Sequence, residues 1–371
     1  MIFQTIFISI LCFVLSYFLI PRFAKMTLRA GMGGYDLNKI RTPESSKVAE
    51  SLGIVGIIII LLISILIFFK FPFDINYQLE SLSSLFTIFI MLVLGFVDDV
   101  LDLKWRYKLL VPLFASVPLI FSYSGSRNIP LPSFLISFLQ KIPFINSYVS
   151  FEDGIYLGKL FYLVIVMLLI FGGNSINIYA GINGIEVSQS IVSGIGLIIS
   201  AFISLFKSNS LEDIFFRNET LSETSIHDIL SLIFLIPFVS FCFALFLFNK
   251  YPSKVFVGDS FTYLSGTVII VSSLMQRKLI SSLLFMIPQF INYVISIPQL
   301  LGIVHCPRHR LPKLNPDTGK LEGVKEHHTL INVMLHILGP MHEKILCLVL
   351  IIFQFSLQMI PLGIQYYLND N

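Results

Sequence analysis

The sequence predicts an all-α polytopic membrane protein with about ten transmembrane helices, and two observations predict it. Only 13% of the 371 residues are charged while 55% are hydrophobic; soluble domains carry about 25% charged residues. The apolar residues also gather into long uncharged runs, and a helix needs ~20 such residues to cross a bilayer. A membrane barrel would show ~10-residue alternating segments instead. The whole chain, residues 1–371, is expected to form a single integral membrane domain.

The runs fall in order along the chain as Ile2–Ile20, Leu52–Phe69, Ser84–Val97, Leu109–Tyr123 and Leu160–Ile176, then Val187–Phe206, Ile229–Phe248, Phe261–Met275, Leu279–Leu301 and Ile345–Tyr367. Ile2–Ile20 reads as a first span, because no basic segment precedes it and no small-residue cleavage site follows it. Ser84–Val97 is short for a crossing, so its helix is expected to continue into the polar residues that follow. Phe261–Met275 is short in the same way. Cys12, Cys242, Cys306 and Cys347 show no C-x-x-C pairing and point to neither a zinc site nor a disulfide framework.

Ten spans divide the loops into two alternating sets. Pro21–Ser51, Asp98–Lys108, Asn177–Glu186, Asn249–Ser260 and Gly302–Lys344 hold most of the lysine and arginine. The positive-inside rule therefore puts this set in the cytoplasm and both termini on the other side. Asn218-Glu219-Thr220, a glycosylation sequon, falls in the opposite set.

The polar segments with chemical potential all lie in the basic set. In "GFVDDVLDLKWRYKLLVP", a helix continued past Val97 would put Asp98 and Asp102 on one face, with Asp99 and Asp102 adjacent. Carboxylates beside Lys104 and Lys108 suit a divalent cation and a phosphate. Taken alone, the stretch reads equally well as a charge-balanced loop. "GGNSINIYAGINGIEVSQS" sets Asn174, Asn177 and Asn183 among glycines at a membrane end. Polar residues there are costly unless satisfied, and close-set glycines let backbone N–H groups approach a ligand. Asn177 can offer an oxygen to a metal and Asn183 can read a base edge; a capped turn is the alternative.

In "YPSKVFVGDSFTYLSG", Asp259 is either a site carboxylate or a helix cap, and Phe256 either stacks on a base or packs. "HCPRHRLPKLN" holds Arg308, His309 and Arg310 between Pro307 and Pro312, and guanidinium groups bind phosphate bidentately. His327, His328, His336 and His342 follow, but imidazole is a poor ligand for Mg²⁺. "GYDLNKIRTPESSK" adds Asp36 and Glu44 in the first loop. Together these residues suit Mg²⁺-dependent chemistry on a pyrophosphate at a membrane surface. A transporter would place polar groups near mid-membrane, and a scaffold would not need the conjunction.

At these residues the chain resembles a known family. The four segments "GFVDDVLDLKWRYKLLVP", "NSINIYAGINGIEVSQS", "YPSKVFVGDSFTYLSGT" and "CPRHRLPKLN" look like the signatures of the eukaryotic UDP-N-acetylglucosamine–dolichyl-phosphate N-acetylglucosaminephosphotransferases. "YDLNK" and "PES" match the first loop of that family, which belongs to the wider polyprenyl-phosphate hexosamine-1-phosphate transferase superfamily. The resemblance implies Mg²⁺ as cofactor, held by Asp259 and Asn177. It implies that Lys108 and Arg308 hold the pyrophosphate. Leu37 (by its backbone), Gly181, Asn183 and Phe256 would form the uridine site, with Glu44 nearby. His309 and Arg310 would contact the N-acetylglucosamine, Asp98 and Asp99 would lie near the lipid phosphate, and Trp105 near the sugar and lipid entrance. It further implies the endoplasmic reticulum membrane, a cytoplasm-facing active site and a homodimer; no nucleic-acid partner is expected.

Lys313 departs from the pattern, standing where an arginine is expected, and "HHTLINVMLH" lacks the H-H-H-x-E motif of the bacterial muramoyl-pentapeptide transferases. The sugar is therefore expected to be plain N-acetylglucosamine. A sister transferase using another UDP-sugar or another polyprenyl phosphate is the alternative. The expected reaction is direct attack of the lipid phosphate, which needs no strong base because its second pKa is about 6.

Overall fold

The computed structural model describes residues 2–40, 45–70, 75–129, 137, 141, 149–150, 154–208, 221–278, 283–307 and 309–368. The fold is a bundle of long helices. In chain order they are α1 (Ile2–Arg29), α2 (Ile57–Lys70, entered by a 3-10 turn over Leu52–Gly56), α3 (Ile75–Leu101), α4 (Trp105–Ser122) and α5 (Leu160–Ile178). There follow α6 (Ile185–Ser208), α7 (Glu223–Asn249), α8 (Gly258–Met275), α9 (Ile287–Leu300), α10 (Leu330–Leu338) and α11 (Glu343–Leu368).

Each apolar run read from the sequence overlaps a described helix, Leu52–Phe69 after the 3-10 turn and Leu279–Leu301 from Ile287 onward as α9. Six of the described helices, α1, α3, α5, α6, α7 and α11, are long and apolar enough to cross a membrane, as a polytopic membrane protein requires. Prolines sit inside five of the described helices, at 21, 112, 118, 237, 298 and 361; membrane helices tolerate them because neighbours re-satisfy the freed backbone groups.

The short eighth run has a structural reason. α8 packs against α3, α5, α6, α7 and the 3-10 turn, and every residue from Ser260 to Met275 is buried. A helix wrapped by protein need not match lipid. Some of its hydroxyls turn back onto its own carbonyls, Thr267 onto Tyr263 at 2.7 Å and Ser273 onto Ile269 at 3.0 Å.

Three departures stand out. Among the described residues three small antiparallel sheets, Gly33–Gly34 with Val48–Ala49, Lys313–Leu314 with Leu321–Glu322, and a three-stranded one over Asn128–Ile129, Gly154–Tyr156 and Val149–Ser150, decorate the loops. The short helix α10 lies within the last long loop, capped by Thr329, whose Oγ1 accepts from Asn332 N. And α3 stops at Leu101: Asp102 takes φ +48° and is exposed, so it leaves the helix instead of sharing a face with Asp98.

A second charged cluster lies at the opposite helix ends, where the sequence reading placed nothing. Arg277, just past α8, grips buried Glu80 of α3 bidentately at 2.7 and 2.9 Å and lies 4.7 Å from the Tyr123 ring centroid. Lys278 meets Asp228 of α7 at 3.3 Å.

Candidate active site

The site forms where α3 ends against the start of α8. Gly95 permits this meeting: a Cβ there would lie 2.3 Å from the carbonyl oxygen of Asp259. At Gly258 the backbone turns left-handed at φ +73°, which glycine alone adopts without strain. The N-terminal residue before α8, Val257, offers no side-chain cap.

Asp99 supplies that cap from another helix. Its carboxylate accepts from the backbone N–H of Asp259 at 2.6 Å and of Ser260 at 3.1 Å, and from the hydroxyl of Ser51. A carboxylate at a helix N-terminus satisfies orphan donors and complements the dipole. Asp259 is thereby released from capping, and the choice left open by the sequence resolves: Asp99 caps and Asp259 faces the cluster.

Asp98 does different work. It is buried, accepts from Leu103 N at 3.0 Å, and pairs with Lys108 Nζ at 2.6 Å. The same ammonium stands 3.8 Å from Asp259 Oδ2. Asn177, in the last turn of α5, donates from Nδ2 to Asp259 Oδ1. So four side chains from α3, α4, α5 and α8 converge: Asp98, Lys108, Asn177 and Asp259. Asn174 is not among them; its amide turns back to Ile170 O at 2.8 Å.

Beside the cluster opens a cavity of about 580 Å³. Leu37, Gly181, Asn183, Phe256 and His309 all line it, together with Gly258 next to Asp259. The first loop is tied to the strand-like Val255 segment by a parallel bridge from Ala49, and Phe256 N donates to Ala49 O at 2.7 Å. Arg310 is half-buried and its guanidinium lies 3.5 Å from His328 O; burial lowers its pKa from the ordinary value. Glu44 and Arg308 lie outside the described residues, as does the side chain of Trp105, which opens α4. Lys313 is exposed on its hairpin opposite Glu322 and is not among the described residues of the cavity wall.

The sequence reading missed several wall residues. Glu343, Glu50 and Glu186 line the cavity, and Ser51 bridges Asp99 to Ser260 Oγ at 3.2 Å. Burial, and then the neighbouring Asp99 charge, pushes the Glu50 carboxyl above its usual range, with Lys47 pulling it back. The available signal was position: Glu343 is the acid two residues before the last apolar run.

Two carboxylates bridged by lysine, one of them buried, beside a cavity match phosphoryl-transfer needs, and the comparisons with known proteins agree. The family model described as glycosyl transferase family 4 matches residues 81–277, just over half the chain. The chain belongs to this family. The relatives narrow it: a UDP-N-acetylglucosamine–dolichyl-phosphate N-acetylglucosaminephosphotransferase of Dictyostelium discoideum is 42% identical over 98% of this chain and 89% of its own. Proteins of the same name from Leishmania amazonensis, 33% identical over 90% of this chain and 86% of that one, and from Saccharomyces cerevisiae, 29% identical over 93% and 86%, follow. The glycosyl transferase family 4 segment contains Asp98, Lys108, Asn177 and Asp259. Asp36, Leu37, His309 and Glu343 of the cavity wall come from outside it.

Proposed function

We propose that this chain transfers N-acetylglucosamine-1-phosphate from UDP-N-acetylglucosamine to dolichyl phosphate, yielding N-acetylglucosaminyl-diphosphodolichol and UMP, the first step of lipid-linked oligosaccharide synthesis for N-glycosylation. The observation that carries the reading is the Asp98–Lys108–Asp259–Asn177 cluster, set beside a cavity whose wall includes Gly258 next to Asp259, in a chain whose relatives bear that name.

The residues present fit a magnesium ion. Asp259 is a hard oxygen donor, and Asn177 beside it offers an amide oxygen after a turn of its terminal torsion. Mg²⁺ favours such a set, with substrate phosphates completing its shell. Bound there, Mg²⁺ supplies charge neutralisation on the diphosphate. Lys108 lies between Asp98 and Asp259 and meets the developing charge as a fixed cation. Asp98 holds the ammonium in place. The uridine lies in the cavity against Phe256 and Asn183, with His309 and Arg310 toward the sugar.

Attack comes directly from the lipid phosphate oxygen on the β-phosphorus: a new P–O bond forms, the bond to the UMP oxygen breaks, and the sugar C1–O bond is untouched. Two features favour this over an aspartyl-phosphate. Asp99 is consumed by the α8 N-terminus and Ser51, and Asp98 by Lys108 and Leu103 N. The dianionic lipid phosphate is already a competent nucleophile.

About ten spans, with α2, α4, α8 and α9 completing the six, would put this cluster at the cytoplasmic surface of the endoplasmic reticulum membrane, as the distribution of lysine and arginine among the loops indicates. The enzyme is a homodimer in this reading. The deciding experiment measures UMP release by purified full-length protein from UDP-N-acetylglucosamine, with and without dolichyl phosphate and Mg²⁺. Release that requires all three is expected. Release without the lipid, or faster release from another UDP-sugar, would overturn the assignment.

A further inference from the structure

One buried hydroxyl beside the transfer cluster goes against local preference twice. Ser51 opens the 3-10 turn Leu52–Gly56 and is fully buried. Its backbone is left-handed, at φ +65° and ψ +30°, a conformation that glycine, and less often asparagine, adopts readily and serine does not. A serine at the start of a helical turn ordinarily caps that turn with its own hydroxyl, yet Ser51 makes no such bond. The hydroxyl is turned to Asp99 instead, donating to Oδ2, and its oxygen lies 3.2 Å from Ser260 Oγ.

The backbone around Ser51 is stitched to the approach of α8. Phe256 N donates to Ala49 O at 2.7 Å, Leu52 N to Phe256 O at 3.3 Å and Gly53 N to Val257 O at 2.9 Å. The 3-10 turn lies directly on the first turn of α8: a Cβ at Gly53 would meet Phe261 N at 2.1 Å. A Cβ at Gly258 would meet Ser51 Cα at 2.7 Å and Asp99 Oδ2 at 2.5 Å. This close fit fixes where the Ser51 hydroxyl is presented.

Asp99 is the group on which it acts. Oδ1 of Asp99 takes Asp259 N at 2.6 Å, while Oδ2 takes Ser260 N at the longer 3.1 Å and has Ser51 as its second donor. We infer that Ser51 is a positioning residue for the proposed transfer. Its hydroxyl holds the Asp99 carboxylate on the α8 N-terminus, which fixes the Asp259 backbone and so aims the Asp259 carboxylate at Asn177, Lys108 and the Mg²⁺ proposed there. Strained residues persist where surrounding contacts over-determine them, and here those contacts lead to the reacting end of α8. The inference rests on the proposed magnesium site and adds to it a residue that acts through Asp99, not by touching the phosphates.

Substitution separates the hydroxyl from the strain. Ser51→Gly removes the hydroxyl and relieves the left-handed backbone. Ser51→Ala removes the hydroxyl and keeps the strain. Ser51→Thr keeps the hydroxyl and adds strain, since β-branched residues resist positive φ. Full-length protein in detergent with UDP is titrated with Mg²⁺, the melting temperature is followed, and UMP release is measured in parallel. The Mg²⁺ midpoint is expected to rise about tenfold in both Ser51→Gly and Ser51→Ala, the order of one charge-assisted hydrogen bond. Ser51→Gly is nevertheless expected to melt above Ser51→Ala. Ser51→Thr is expected to melt below wild type yet keep the wild-type midpoint; if it does not fold, the Gly and Ala variants decide. A wild-type midpoint in Ser51→Gly would overturn the inference, as would midpoints that follow melting temperature and not the hydroxyl. A wild type whose melting does not respond to Mg²⁺ would overturn it too. Midpoints that follow the hydroxyl in a protein that releases no UMP would sink the proposed transfer and leave the role of Ser51 standing.

Discussion

Asp98 and Asp99 are neighbours in sequence and opposites in role. Asp99 caps α8 through two backbone N–H groups, whereas Asp98 grips Lys108. Asp99→Asn replaces one acceptor oxygen by a donor facing those N–H groups. It is expected to cost about 1–2 kcal/mol of stability together with activity, read as a lowered thermal transition in detergent alongside UMP release. Asp98→Asn keeps the Leu103 contact and loses the ion pair. It is expected to lower kcat with a much smaller change in the transition temperature, and equal melting losses in the two variants would refute the division. Lys108→Ala removes the cation that bridges Asp98 and Asp259, and if it meets the reacting phosphates as proposed, a loss of about 10²-fold or more in kcat is expected. The two roles were not legible from the doublet itself. Successive helical residues point about 100° apart, so one faces α8's end and the other α4, and the chain alone does not say which.

The element that matters most is the α3–α8 crossing. Its closeness depends on Gly95, where even a methyl group would collide with the Asp259 backbone. Gly95→Ala is expected to push the helices apart, costing about 1–3 kcal/mol as overpacking does, and to lower transfer activity by at least tenfold because Asp259 moves with the backbone. Retention of wild-type activity in a folded Gly95→Ala variant would show that the crossing does not position the site. At this scale the sequence was a good guide to where helices are, since the uncharged runs overlap them. It was a poor guide to α8, whose short run reflects burial on all sides. It missed α10 as well, because nine residues of apolar pattern in a polar loop resemble a turn.

Across the whole molecule the charges are sorted to two ends. One end holds the transfer cluster; the other holds Glu80–Arg277 and Asp228–Lys278. Arg277→Met strands a carboxylate that is 2% exposed, and a loss of about 3–5 kcal/mol is expected. The double variant Glu80→Met, Arg277→Met is expected to recover most of it, and to keep UMP release, since the pair lies at the far ends of α3 and α8 from Asp98 and Asp259. A double variant as unstable as the single one would show that the pair itself, and not the stranded charge, matters. The membrane class, the places of the long helices and the segments that carry the candidate site were determined by the sequence alone, because run length and local charge are properties read along the chain. The separate duties of Asp98 and Asp99, the exit of Asp102 from α3, the far charged cluster and the hydrogen bonds of Asn183 to Asp36 and Glu343 were decided only by the tertiary structure. Each depends on groups far apart in the chain being brought within hydrogen-bond distance, and spacing along a chain carries no measure of that approach.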